Sequence, residues 1–531
     1  MSAPMRLLPG GLNRKGKAVT KKQPSASQIE EEVGRAFTDL VAVAKSSDAV
    51  FTLLETELWT GLLHLGRLLV LLFLVSRQQR QQAEQPPEVV LEGRRYRRDK
   101  APHARSLNTR FGVVQYFRTY LRAEGGKGHY PLDAALGLTA DRMSFGLLSL
   151  GARLATMMSF AKAQGLLCWF LGQAPSTEVL EHTVLGLGRH TGAWFAQAQA
   201  PQQEEDGEVL VIQVDGKAAP TATEQELARR RGKRRGRPKA VSPRHRGRQA
   251  REQRGSKPRR KKGDKSKNGR LAMVVVLYTL RRKRHQGEWV LAGPINRWTY
   301  ASFAPKRHVF AIARREADKR GFATGCGKLV QLLSDGDEDL ACYAKEYFPE
   351  AIHTVDVMHV IEYLYKAGEC LHREGSPALA DWIADKKSLL YGGQEALLVQ
   401  QLKQSLAALP KTGPGSKGKR TRLQAAINYL DKRLSQMNYQ WLREQDLELG
   451  TGIVEGTVKN LVGARFDFGG SRWIRERAES LLQLRCIERN GQWDAFIQWV
   501  HDENLRELRR GTRVRVQQCR PNPLPAVEKA A

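Results

Sequence analysis

VLVIQVDGK, residues 209–217, opens the α/β part of the chain. Six apolar or nearly apolar residues without helical spacing read as a central strand buried on both faces, ending at Asp215. The competing reading is local: Asp-Gly is a turn dipeptide, and Asp215-Gly216 could close a hairpin. Downstream, LAMVVVLYTL (271–280) and EWVLAGPINRWTYASF (288–303) are two further strand candidates, and KRHVFAIARREADKRG (306–321) has helical spacing. GKLVQLLS (327–334) gives a strand stopping at Asp335, Leu340 to Tyr347 an amphipathic helix, and AIHTV (351–355) a fifth strand reaching Asp356. The predicted order is β-β-β-α-β-α-β, a mixed five-stranded sheet.

The 531 residues are 41% hydrophobic, enough for several real cores, which excludes global disorder. A formal charge of +32 points to a polyanionic partner, because Lys and Arg gain affinity for phosphate by releasing condensed counterions. Residues 229–270 hold 21 Lys and Arg against two acids, so one segment carries +19 of that charge. The plain alternative is a solvated charge run without a specific role. Cys168, Cys326, Cys342, Cys370, Cys486 and Cys519 form no CxxC pair, so neither a zinc site nor a disulfide framework is signalled. The apolar run from Leu62 to Val75, interrupted by His64 and Arg67, falls short of the ~20 residues of a membrane span and is expected to be a buried helix. The basic N-terminus lacks the apolar core of a signal peptide, so no export is expected; the expectation is a cytoplasmic protein that meets no membrane.

The chain reads as multi-domain α+β. Residues 1–26 are expected to form a flexible basic arm and 27–100 a helical N-terminal region, with Val33, Phe37 and Val41 at helical spacing. Within 101–200, RSLNTRFGVVQYFRTYLR (105–122) suits a small β element. Two helices on either side of Gln173 to Pro175 then suggest a helix-turn-helix whose second member, starting after Ser176, would bring Thr177, Glu178 and His182 to base edges. An ordinary helical hairpin fits as well. Residues 205–357 hold the first part of the α/β core, interrupted by a basic insertion at 224–270 that is expected to be disordered. An all-helical insertion spans 358–445, the last core part with a Glu-bearing helix spans 446–500, and 501–531 is a tail.

Phosphodiester chemistry with two divalent ions needs several carboxylates within a few Å, because hard cations prefer oxygen ligands. If the strands ending at Asp215 and Asp335 are neighbours, both side chains meet at one sheet edge. Asp337 competes with Asp335 as the second carboxylate in SDGDED (334–339). A third comes from Glu455, at the margin of the apolar stripe Val454, Val458, Leu461 and Val462. Its plain alternative is a surface ion pair with Lys459 four residues on.

At VLVIQVDGK, LLSDGDEDL, FPEAIHTVDVMHVIEYL, GIVEGTVKNLVGARF and SRWIRERAESLLQLRCIERNGQWD, together spanning roughly 209–494, the sequence resembles the DDE transposases of bacterial insertion sequences, the ISKra-type group in particular. The resemblance implies an RNase H-like catalytic domain of the kind shared with retroviral integrases. It carries the metal-binding carboxylates onto Asp215, Asp335 and Glu455, and it places a D-x-x-H motif at Asp356 and His359 as support for the site. It further implies Mg²⁺ or Mn²⁺ as cofactor, cleavage of element ends and strand transfer into target DNA, and a homo-oligomer on double-stranded DNA, and it makes the expected cytoplasmic protein a bacterial, nucleoid-associated one. Two departures stand out. Related transposases often carry a cysteine-based zinc element in the N-terminal half, yet LRAEGGKGHYPLDAALGL (121–138) has no cysteine. The basic insertion is also longer than the core fold requires. Within it KRRGRPK (233–239) resembles an AT-hook, whose Arg-Gly-Arg-Pro core lies in a narrow A·T-rich minor groove, which would assign DNA contacts to Arg235, Arg237, Pro238 and Lys239.

Arg465, Arg472 and Trp473, just beyond Glu455, are candidates for phosphate contact or for stacking on an unpaired base. Trp473 equally suits a core anchor. Two other function classes share parts of this pattern: a DNA-binding regulator or domesticated transposase without a working centre, and an RNase H-like nuclease that cuts without rejoining.

Overall fold

A computed structural model describes residues 24–45, 50–84, 87–91, 94–123, 128–225, 228, 269–467 and 473–509. They fall into two compact units. The first holds the described residues up to Gly151 together with Ala161–Thr177 and those from His501 on; the second holds Ala152–Phe160 and Glu178–Val500.

In the first unit, helix α1 (Ala26–Ala44) starts at a capping box, in which the Ser25 hydroxyl accepts from the Gln28 amide while the Gln28 side chain accepts from the Ser25 amide. Helix α2 (Phe51–Glu84) follows. Strands β1 (Glu88–Leu91), β2 (Arg94–Arg98) and β5 (Leu121–Ala123) form an antiparallel sheet, and β3 (His103–Thr109) pairs with β4 (Gly112–Arg118) as a hairpin. The hairpin lies where the β-branched and aromatic residues of 105–122 predict it. Strands β1 and β2 correct the reading of 27–100 as helical throughout. A core of Leu74, Leu107, Val114, Tyr116 and Leu132 closes the unit. Beneath it the Asp133 carboxylate takes the Arg105 and Arg118 guanidinium groups and the Tyr116 hydroxyl, so a buried charge is both paired and hydrogen-bonded. Short helix α3 (Pro131–Ala135), α4 (Phe145–Met157) and α5 (Phe160–Leu171) follow in the chain.

Helix α2 also corrects an expectation. It runs 34 residues, long and apolar enough to cross a membrane by length and composition, and only 22% of its most apolar window is buried. Leu68, Leu74, Val75 and Gln78 are buried, Gln78 donating to the Thr119 hydroxyl, whereas Trp59, Leu62, Leu69 and Phe73 are each about half exposed.

The second unit is built on a mixed sheet in the order β10-β9-β6-β7-β8. Strands β6 (Val209–Ala222), β7 (Gly269–His285) and β8 (Glu288–Ser302) are antiparallel neighbours; β9 (Leu329–Ser334) and β10 (Ile352–Val355) run parallel to β6. Every residue from Val209 to Val214 is buried, as a strand covered on both faces requires. The chain is therefore a mixed α/β protein with a mixed sheet. A sixth strand corrects the five-stranded expectation: β11 (Trp473–Ile474) pairs with the far end of β6 at Thr221 and Ala222.

Helices α6 (Thr177–Gly188) and α7 (Thr191–Gln197) precede the sheet; α8 (Lys306–Lys319) and α9 (Glu338–Tyr347) lie between its later strands. After β10 come α10 (Val357–Leu371), α11 (Pro377–Tyr391), α12 (Glu395–Ala408), α13 (Ser416–Asp431) and α14 (Tyr439–Glu444). Helix α15 (Gly452–Val458) carries Glu455 and passes through a π-turn (Lys459–Gly463) into α16 (Ala464–Phe466). Helices α17 (Arg475–Arg489) and α18 (Trp493–Arg509) end the described chain, so part of the expected tail is helical.

The helix-turn-helix expectation is not met. Seven of the twelve residues of α6, including Leu180 and Thr183 to Gly188, are buried in the second unit, whereas α5 belongs to the first. Gly188 packs on Ser480 so closely that a Cβ would stand 2.4 Å from it, and Glu181 pairs with Arg477. Thr177 and Glu178 are exposed, but most of α6 is buried and packed against α17, so the helix is chiefly a core element.

Candidate active site

Three parallel strands deliver three carboxylates to one edge. Strands β6 and β9 pair in register up to Gln213 and Leu333, and two residues further on come Asp215 and Asp335. Strand β10 pairs with β9 up to Val355 and Ser334, with the Asp356 amide donating to the Ser334 carbonyl, so Asp356 stands at the same height. Equal register on parallel strands turns Asp215 and Asp335 to the same face. Asp215 does not end its strand, as the sequence suggested. Strand β6 continues to Ala222 against β7, and what ends at Gln213 is its pairing with β9. Asp215-Gly216 is likewise no turn: Gly216 faces Met273 across the ladder, where a Cβ would press on the Leu271 and Met273 side chains at 3.0 Å.

Two buried glutamines bring the fourth carboxylate. Gln213 donates to the Gly450 carbonyl (3.1 Å) and the Tyr278 hydroxyl, and accepts from the Val454 amide (3.0 Å). Gln331 donates to the Glu448 carbonyl (2.7 Å) and Thr354 hydroxyl, and accepts from the Glu448 amide (3.1 Å). Together they pin residues 448–454 across the sheet and fix where α15 begins. Val454, Val458, Leu461 and Val462 are buried, which leaves Glu455 on the open margin of the helix, its carboxylate accepting from the Thr451 hydroxyl (3.2 Å).

Asp356 is fully buried and caps α10. It accepts from the Met358 amide (3.2 Å), the Thr451 amide (3.3 Å) and His359 Nδ1 (2.6 Å). Burial works to raise its pKa, but these hydrogen bonds and the His359 charge outweigh it, and the net shift is downward. The bond from Asp356 raises the pKa of His359 against its own burial. Gly450 packs beside this carboxylate, where a Cβ would stand 3.3 Å from Oδ1. Donor atoms of Asp356, His359 and Glu455 lie within 4.8 Å of one another.

Asp215 and Asp335 border the same cluster. Burial raises the Asp215 pKa, the Gly216 amide opposes this, and the charges of Asp335 and Glu455 raise it further while His359 lowers it. Asp335 is held by its surroundings: the Asp337 amide donates to its carboxylate, Tyr429 to its carbonyl, and Arg433 to the next carbonyl, that of Gly336. Asp335 and Asp337 are placed differently. Asp337 is the N-cap of α9 and pairs with Lys306, which leaves Asp335 at the strand edge.

Two residues proposed as DNA contacts are structural. Arg465 is buried, stands over the rings of Phe160 and Trp473, and donates to the Ala155 carbonyl; burial and the Arg485 charge push its pKa down to about 10. Trp473 packs on Phe466 and Phe160 and serves as an anchor rather than an open stacking platform. Arg235, Arg237, Pro238, Lys239 and Arg472 lie outside the described residues.

The functional residues that sequence reasoning missed are Gln213, Gln331 and Thr451. One signal was present: Gln213 and Gln331 are polar residues inside otherwise apolar strands, and a buried amide must find partners.

No protein-family model matches the chain. Over 114 residues, 21% of the chain, it is 32% identical to a curated Streptococcus gallolyticus protein described as the UPF0236 protein in vanSb 3′ region, and the chain spans about a quarter (24%) of that relative's length. Among solved structures, the Drosophila P element transposase strand transfer complex is similar at 10% identity and a TM-score of 0.21, with 69% of this chain and 82% of that chain covered.

Proposed function

We propose that this chain is a DNA transposase with an RNase H-like catalytic core, cutting and joining phosphodiester bonds at a metal-dependent carboxylate centre of Asp215, Asp335 and Glu455. The observation that carries this reading is the meeting of strand-edge and helix-borne carboxylates at one place. Numbered along the chain, the first five strands of the sheet stand in the order 3-2-1-4-5, with the first three antiparallel and the last two parallel to the first, which supports the RNase H-like assignment. Open α/β sheets place ligands at the carboxyl ends of their parallel strands, and that is where these residues lie.

The donor set fits a hard divalent cation. Asp215 carries a pKa raised by burial and by two neighbouring carboxylates, a repulsion that a bound cation relieves. Asp215, Asp335 and Glu455 would hold the ions. When bound, such ions supply activation of water or a 3′-hydroxyl and compensate charge on the leaving oxygen. The protein's own share is placement: Gln213 and Gln331 fix the approach of Glu455 to the sheet, while Tyr429 and Arg433 hold the loop after β9. The basic residues of 229–270 supply non-specific attraction for double-stranded DNA.

The test is Mg²⁺- or Mn²⁺-dependent cleavage and joining of DNA carrying the inverted repeats that flank the gene, with binding measured in parallel. Asp215→Ala, Asp335→Ala and Glu455→Ala are expected to abolish both reactions and keep DNA binding. Wild type that binds these ends and never cuts them overturns the reading in favour of a DNA-binding regulator.

A further inference from the structure

At the start of α10, Asp356 and His359 stand three residues apart on one helix face. Both oxygens of the Asp356 carboxylate are engaged, Oδ1 by the Met358 and Thr451 amides and Oδ2 by His359 Nδ1. A buried carboxylate with two amide donors acts as the acceptor, so the proton of the 2.6 Å contact belongs to Nδ1. The ring is thereby fixed in the tautomer whose Nε2 carries the free lone pair. Among the described residues Nε2 makes no hydrogen bond, and the side chain is one-third exposed (33%) at the rim of the carboxylate cluster. A carboxylate oxygen of Glu455 lies within 4.8 Å of a ring nitrogen of His359, and the charges of Asp335 and Glu362 also act on the ring.

A carboxylate that orients an imidazole through one nitrogen and leaves the other to a metal is a recurrent arrangement in metalloproteins, because it fixes the ring and raises its basicity as a ligand. Three carboxylates alone favour Mg²⁺, an ion that prefers oxygen and keeps its waters. An imidazole nitrogen shifts preference toward first-row transition ions.

We propose that His359 Nε2 is a direct ligand of a divalent cation shared with Glu455, that Asp356 is its positioning residue, and that the centre consequently takes Mn²⁺ in preference to Mg²⁺. The inference rests on the metal-dependent reading above and adds a nitrogen ligand to it.

The test uses the full chain and Mn²⁺ alone. Titration calorimetry is expected to give about tenfold tighter binding of Mn²⁺ than of Mg²⁺. Electron spin echo modulation of bound Mn²⁺ is expected to show a directly coordinated ¹⁴N. His359→Gln, at a partly exposed position that tolerates the change, is expected to lose the ¹⁴N signal and about tenfold in Mn²⁺ affinity, with Mg²⁺ affinity changed much less. Asp356→Asn retains the nitrogen signal with weaker binding. Mn²⁺ bound without ¹⁴N modulation, or a modulation that survives His359→Gln, overturns the nitrogen ligand and leaves the carboxylate centre standing. Absence of divalent-ion binding to wild type overturns both.

Discussion

Gln213 is a polar residue that serves three partners inside a sheet. Replacing it by Leu keeps the volume and strands the Val454 amide and the Gly450 carbonyl, so Gln213→Leu is expected to destabilise the protein by about 3 kcal/mol in urea unfolding. The same substitution is expected to lower cleavage more than DNA binding, since it loosens the segment that presents Glu455. A buried glutamate and a partly buried histidine act on the pH response in opposite directions. Burial lifts the Glu479 pKa from 4.5 to about 6 against hydrogen bonds from Ser302, Phe303 and Gln483. Its native form keeps a proton that the unfolded chain gives up, so its contribution is complete below pH 4.5 and is lost as pH rises to about 6. Burial and the Arg433 charge lower the pKa of His353 from 6.5 to about 4, and its contribution runs the other way, complete above pH 6.5 and lost as pH falls toward 4. The two oppose each other over most of the same window. Glu479→Gln removes the falling arm, and its melting temperature is expected to climb more steeply than wild type between pH 4.5 and 6. An unchanged profile means that Glu479 is already ionised throughout that range.

Among the elements, the loop between β9 and α9 is the most constrained. Gly336 sits at φ +83°, and a Cβ there would stand 2.6 Å from the Arg433 side chain and 2.8 Å from the Tyr429 hydroxyl. Gly336→Ala is therefore expected to lower stability by more than about 1 kcal/mol and to impair catalysis through displacement of Asp335. Asp337→Asn keeps most of the N-cap and is expected to leave catalysis within a few-fold of wild type, in contrast to Asp335→Asn; steady-state cleavage rates separate the two. These elements also show what the sequence can reveal. Strands β6, β7, β9 and β10 are apolar runs of strand length, and the stripe of α15 places Glu455 at its edge, because burial on both faces or on one face writes itself directly into residue type. Neighbouring strands are a different matter: register is a pairing between residues more than a hundred positions apart, so the alignment of Asp215 with Asp335 was a condition that only coordinates could meet. The basic character of Arg465 and the N-cap at α6 pointed toward DNA for the same reason that they failed. Charge and capping are local properties, and burial is not.

For the molecule as a whole, the charge distribution makes a prediction about salt. With +19 of +32 concentrated in 229–270, deletion of residues 229–268 is expected to flatten the dependence of DNA affinity on salt and to weaken non-specific binding. Divalent-ion binding at Asp335 and Glu455 is expected to persist in the same variant, since no ligand proposed for the centre lies in the deleted stretch; fluorescence anisotropy across a salt series checks the first effect and calorimetry the second. The register of the β6–β7 ladder adds a practical consequence. Pro220 lies opposite Gly269, so the chain leaves the sheet and re-enters it on adjacent strands. Whatever length of polypeptide joins those two points, its closure penalty grows only with the logarithm of that length. This is a natural port in the architecture: a fluorescent protein or a sequence-reading DNA module can be spliced between the two strands with its ends already side by side, while the sheet beneath stays as it is.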